Sequence, residues 1–366
     1  MEIGIVGLSR SGKTTIFNAA TRGSAEVAAF ASDQTKPNFG VAKVPDARLD
    51  RLVEMFQPKR IVPAEVTYVD VPGAPEGSGK TRGISGRYLN NLQTVDVLLI
   101  VARAFEDPSV THVYDTVDVF RDVEAILLEL TISDLELLER RAERIADSFK
   151  GAKAIERERL EKEQAIVTRL KAQLDAGVPI RDQTLADDEA QFLDGSQMLT
   201  AKPVIVVGNV GEDQIEATEE IEERLREVAA GPTVQTGVVC GRLEMELAQM
   251  EPDEEKEFRD SLGAGQSGLD RMVHLSYQAG DLISFFTTDV KEVRAWPALR
   301  GATAARVAGK IHSDFEKGFV RAEVVAYDEF VDCGSMAEAR RRGTLRHEGR
   351  DYVVQDGDLI NILFNV

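Results

Sequence analysis

Apolar residues along this chain recur in short β-branched runs bounded by turn residues: Ile3-Val6, Phe39-Val44, Val66-Val71, Val97-Val101, Val204-Val207 and Val234-Val239. Helical patterns fall between several of them, and that rhythm predicts a mostly parallel sheet covered by helices. It breaks from about Asp115 to Ala201, where the chain turns charged and glycine-poor and its apolar residues take helical spacing. Leu127, Leu130, Leu135 and Leu138 form one set; Leu160, Ile166, Leu170 and Leu174 form a second, with a break near Gly151 and an end at Gly177-Val178-Pro179. The pattern predicts an antiparallel helical pair inserted into the sheet domain. After Asp281 short alternating runs at Val290-Trp296 and Val320-Val325, a helix near Thr303-His312 and a final Leu359-Val366 run predict a small α+β module. The expected layout is therefore a discontinuous sheet domain (1–114 and 201–280), a helical insertion (115–200) and a carboxy-terminal domain (281–366).

The first apolar run leads into Gly7-Leu8-Ser9-Arg10-Ser11-Gly12-Lys13-Thr14, followed by the helix-like Thr15-Ala20. Strand, glycine loop and helix in this order make a phosphate site: the glycines let successive N–H groups turn inward, Lys13 brings a charge to β/γ oxygens, and Thr14 offers a hydroxyl to Mg²⁺. Arg10, Ser11, Gly12, Lys13, Thr14 and Thr15 are the candidate phosphate-binding residues. Asp70-Val71-Pro72-Gly73 closes a later strand, where the Asp70 carboxylate can hold the Mg²⁺ shell and the Gly73 N–H can meet a γ-phosphate. Thr35 is placed to add a second hydroxyl to the metal.

Asn209-Val210-Gly211-Glu212 follows another strand, where a nucleobase is read in switch proteins of this design. A guanine-specific loop carries N-K-x-D; here Val210 replaces the lysine and Glu212 is one methylene longer than aspartate, which disturbs the guanine fork and leans the site towards ATP. Cys240 and Gly241 follow the last strand and would pack against the base. Hydrolysis needs a water held in line with the γ-phosphate, often by a glutamine after the switch glycine. Ala74 stands there, so turnover is expected to be slow unless another group, with His112 as the candidate, supplies the contact.

Charge and composition narrow the partners. The 366 residues are 43% apolar and 29% charged with a net charge of −19, so nucleic acid must be met by local basic patches. Two are visible: Arg140 to Arg159, interleaved with acids, and the denser Arg340, Arg341, Arg342, Arg346 and Arg350. Two distant cysteines, Cys240 and Cys333, argue against a disulfide framework or zinc site. The amino terminus runs straight into a core strand and no apolar run has membrane-spanning length, so export and a membrane partner are not expected.

Together G-x-x-x-x-G-K-T, Q-T-K-P-N, D-V-P-G, N-V-G-E and the run K-E-V-R-A-W, H-S-D-F-E-K-G-F-V-R-A-E-V and Y-V-V-Q-D-G-D resemble the YchF/Obg-like ATPase family over essentially the whole chain. The resemblance implies a P-loop NTPase G-domain of α/β class with the helical arm and a TGS module of β-grasp fold at the carboxy terminus. It also implies a cytoplasmic ATPase using ATP and Mg²⁺ on the ribosome, meeting ribosomal RNA or protein and not DNA, with a monomer expected and a dimer as the alternative. His112 resembles a family histidine at its place. Two places depart: the phosphate loop, with Arg10 where Asn is usual and Ser9 where Pro is usual, and the switch, where Pro72-Gly73-Ala74 stands for the usual Ala-Gly-Leu and Pro72 stiffens the start of the loop. A GTPase of the Obg group and a nucleotide-stabilised scaffold stay open as alternatives.

Overall fold

The computed structural model describes residues 1–23, 37–71, 91–193, 195–229, 231–262, 267–289 and 291–365. Along them the strands are β1 (Glu2–Val6), β2 (Asn38–Lys43), β3 (Arg60–Val62), β4 (Glu65–Asp70), β5 (Val97–Arg103), β6 (Val204–Asn209), β7 (Val234–Val239), β8 (Leu282–Thr288), β9 (Glu292–Leu299), β10 (Phe319–Val325), β11 (Arg346–Glu348) and β12 (Leu359–Phe364). The class is α/β, as expected. The chain forms two compact units, Met1–Val41 with Thr67–Ala279, and Ala42–Val66 with Gly280–Val366.

The first sheet has the order β2-β4-β1-β5-β6-β7. The pairs β1 with β4, β1 with β5, β5 with β6 and β6 with β7 are all parallel. Every residue of β5 and β6 is buried, which is why both read as unbroken apolar runs and not as alternation. Parallel strands deliver their carboxy ends to one edge, so the end of β4 and the loops after β1, β5, β6 and β7 gather there.

The charged segment folds into the helices Val119–Ser148 and Ala154–Asp175. Leu138 and Ile145 from one and Leu160, Val167, Leu170 and Leu174 from the other share a core with Ile180 and Met198. Asp118 caps the first helix by accepting from the Phe120 and Arg121 amides. Asp134, fully buried within it, accepts from the Leu199 amide at 2.9 Å and the Thr200 amide at 2.7 Å, fastening the returning chain to the arm.

The second sheet runs β11-β10-β12-β8-β9-β3. Here the expected domain limits need correction. Residues 42–66, assigned by the sequence pattern to the first domain, belong with the carboxy-terminal unit: β3 pairs in parallel with β9 through Arg60 and Glu292, and Phe56 stacks on Phe330 with centroids 5.6 Å apart. The helix Ala47–Phe56 buries Leu49 and Leu52 on that side. Local periodicity carries no information about a strand partner more than two hundred residues away.

Candidate functional site: a nucleotide-binding loop cluster

The loop after β1 is shaped by two glycines. A Cβ on Gly7 would lie 2.3 Å from the Val101 carbonyl oxygen, and one on Gly12 would lie 2.1 Å from Asn209 Nδ2. Gly12 also takes φ 90° at the start of the helix Lys13–Thr21, a conformation that side chains disfavour. Arg10 is left-handed too, with φ 64°. Such a backbone costs a Cβ-bearing residue about 1 kcal/mol, less for the Asn that the resemblance led us to expect.

Lys13 is buried, and its Nζ donates to the carbonyls of Gly7 at 3.0 Å and Leu8 at 2.9 Å. Burial pushes its pKa down to about 8, only partly opposed by the charge of Asp70. An ammonium held by neutral oxygens in a buried place is under-neutralised, and an anion on the loop restores the balance. Ser11 Oγ is also buried and has no hydrogen-bond partner among the described residues. Such a group in a phosphate loop fits an absent ligand.

Asp70 ends β4 and sits opposite Ile5 of β1. Thr14 Oγ1 donates to its Oδ2 at 2.9 Å. Burial raises the Asp70 pKa, while hydrogen bonds from Thr14 and Asn38 and the nearby Lys13 pull it back. Two oxygen donors side by side beneath a phosphate loop are the donor chemistry that Mg²⁺ takes. Asn38, the first residue of β2, was not singled out by sequence as a site residue. Thr35 and Gly73, with Pro72 and Ala74, lie outside the described residues.

Asn209 does more than border a base. Its Nδ2 donates to the Ser11 carbonyl and its Oδ1 accepts from the Gly241 amide, both at 3.0 Å, so one side chain clasps the phosphate loop to the loop after β7. Val210 is buried; Glu212 is exposed at the start of the turn Glu212–Ala217. Burial raises the Cys240 thiol pKa, with Glu212 adding to the shift, which places those two neighbouring loops close together. Gln214 was missed: it accepts from the Gly211 amide at 2.9 Å and donates to the Ala104 carbonyl at 3.1 Å. Its signal was the amide side chain three residues into a turn.

His112, the candidate for holding the water, is enclosed. It is buried, its Nδ1 accepts from the Tyr114 amide at 3.1 Å, and its Nε2 lies 2.7 Å from Asp122 Oδ2 on the first turn of the helix Val119–Ser148. Because Nδ1 accepts, the proton sits on Nε2 and is donated to Asp122. Both ring nitrogens are engaged, so in this conformation neither holds a water. Arg121 grips the other Asp122 oxygen at 3.1 and 2.8 Å.

The second basic cluster also differs from its sequence reading as the denser phosphate-suited patch. Arg340 pairs with Glu323, Arg341 and Arg342 share Glu338, and Arg346 lies near Glu348 and Asp358. Four of its five arginines thus meet carboxylates within the module, while Arg350 donates to the Glu316 carbonyl at 3.3 Å.

A parallel sheet whose strand ends carry a glycine loop with buried Lys13, a Thr14–Asp70 pair and an Asn209 clasp defines a P-loop nucleoside triphosphatase of the GTPase type. Family models agree: residues 2–133 match the one described as 50S ribosome-binding GTPase, and residues 282–365 match the YchF GTPase carboxy-terminal model, described as a protein of unknown function. The chain is 40% identical to the Ribosome-binding ATPase YchF of Bacillus subtilis (strain 168) over 100% of both chains. To the protein of the same name from Escherichia coli O157:H7 it is 37% identical over 100% of this chain and 99% of the relative. The solved structure of the Schizosaccharomyces pombe YchF GTPase superposes with a TM-score of 0.86 at 31% identity, covering 99% of this chain and 97% of that one. The chain belongs to the YchF family.

Proposed function

We propose that this protein is an Mg²⁺-dependent ATP-binding switch of the cytoplasm that hydrolyses ATP slowly and acts on the ribosome. The observation that carries the reading is the joined set of loops: buried Lys13 donating to the Gly7 and Leu8 carbonyls, the Thr14–Asp70 pair, and Asn209 holding Ser11 to Gly241. Lys13 and the loop amides bind the phosphates; Thr14 and Asp70, with Thr35, hold the metal, which when bound neutralises charge on the β/γ oxygens. Buried Val210 and exposed Glu212 support adenine over guanine. The relatives' names support the ribosome as partner, and the final module is read as a TGS-type β-grasp. Gly73 serves the γ-phosphate and His112 holds the attacking water, which requires its ring to leave Asp122. The new bond joins water oxygen to the γ-phosphorus, the bond to the bridging oxygen breaks, and ADP and phosphate leave.

Single-turnover cleavage of ATP with and without ribosomes tests the proposal, beside equilibrium titration with ATP and GTP. Slow cleavage accelerated by ribosomes is expected, with ATP bound more tightly. A GTP affinity more than about tenfold above that for ATP, a difference of about 1.4 kcal/mol, overturns the base assignment.

A further inference from the structure

Arg10, in the phosphate loop, holds a left-handed backbone with φ 64°, which asparagine and glycine tolerate better than arginine does. Its guanidinium reaches across the loop cluster: Nη1 donates to the Thr111 carbonyl at 3.2 Å. The next residue, His112, is joined to Asp122 at the root of the helical arm. Upstream, the buried Arg103 donates to the carbonyls of Phe105 at 3.0 Å, Asp107 at 3.3 Å and Val110 at 2.9 Å, and its guanidinium lies over the Phe105 ring. Two arginines from different loops thus hold the main chain that ends at His112, one from the end of β5 and one from the phosphate loop itself.

We infer that Arg10 is a positioning residue for ATP hydrolysis: it anchors the main chain at Thr111 so that the His112 ring swings from a pivot fixed to the phosphate loop. The inference rests on the reading of His112 as the water-holding group. A group presented from a fixed backbone needs less reorganisation to reach its place in the transition state, so the tether acts on the chemical step and not on nucleotide affinity.

The test uses the full-length protein with Arg10→Ala, Arg10→Lys, Arg10→Gly and His112→Ala, reading single-turnover ATP cleavage, ATP affinity and hydrogen exchange at the Tyr114 amide. Arg10→Ala is expected to slow cleavage about fivefold, the worth of one ordinary hydrogen bond, with ATP affinity changed less than about twofold and faster exchange at Tyr114. Lysine, which can still donate to the Thr111 carbonyl, restores part of the rate and of the protection. Glycine relieves the backbone and loses the tether, so it matches alanine in rate; wild-type cleavage in Arg10→Gly assigns the effect to backbone strain and overturns the inference. Unchanged exchange in Arg10→Ala overturns it, as does a loss confined to ATP affinity, which marks Arg10 as a phosphate ligand. If His112→Ala cleaves ATP at the wild-type rate, the reading of His112 falls, whereas the tether is still judged by exchange at Tyr114.

Discussion

Positive charge is handled in opposite ways by the phosphate loop and by the carboxy-terminal module. In the loop, Lys13 is buried against two neutral carbonyls, its pKa is depressed, and the nearby Asp70 is engaged by Thr14. In the module, Arg48 is held by Asp46 and Asp356, Arg340 by Glu323, and Arg341 and Arg342 by Glu338. A run of arginines in sequence therefore says little about free charge, because the fold decides which carboxylates meet it. The single lysine of the loop carries the greater unspent electrostatic potential, since burial keeps water from neutralising it.

Four measurements test that contrast. The largest effect belongs to Lys13→Ala, expected to weaken ATP binding by about 100-fold or more as the charge-assisted contacts to phosphate vanish. Equilibrium titration measures it, and a loss under tenfold would erase the contrast. Next, Arg48→Ala leaves Asp46 and Asp356 facing each other without their shared cation and should lower unfolding stability by about 2 kcal/mol in denaturant titration. An unaltered midpoint would show that the module's pairs do no structural work.

The third effect is on pH. Lys13 must be charged to bind phosphate, and its pKa of about 8 in the free protein means that the charged fraction falls as pH rises through that value. ATP affinity should hold below pH 8 and decline above it, by at most about tenfold per pH unit. Titrations between neutral and mildly alkaline pH read the break point, and a flat profile would place the Lys13 pKa near that of an exposed lysine. The smallest effect is Arg341→Ala, whose guanidinium is already paired with Glu338: ribosome affinity should stay within about twofold. A markedly weaker complex would show that this arginine exchanges its carboxylate for phosphate.

Much of the molecule was legible before folding. The β-branched runs marked the strands of the first sheet because both faces of β5 and β6 are covered, and the two leucine sets marked the arm because Leu138, Leu160 and Leu170 face one shared core. The phosphate loop was legible for the same kind of reason: the Gly7, Gly12 and Lys13 roles are local, and only those residue types fit. What escaped was non-local. The pairing of Arg60-Ile61-Val62 with β9 left no trace in periodicity, and it moved residues 42–66 to the other unit. Asn209 was read as a base contact, yet its side chain is occupied in joining Ser11 to Gly241. His112 was read as the group that supplies the missing contact, yet its ring is enclosed, and nothing in the order of the chain says that Asp122, on the next helix, will meet it.

Sequence alone determined the chemistry on offer: a glycine loop, one lysine, a threonine and a strand-end aspartate, each tied to its role by conformation or donor type at short range. Tertiary structure decided which of those groups are spent and which stay available. Hydrogen bonds and ion pairs form between whichever side chains the packed core brings within about 3 Å, and that distance is set by the whole fold. So charge is partly offset at Glu338 and left standing at Lys13, and Arg10 reaches Thr111 only because β1 and β5 lie side by side.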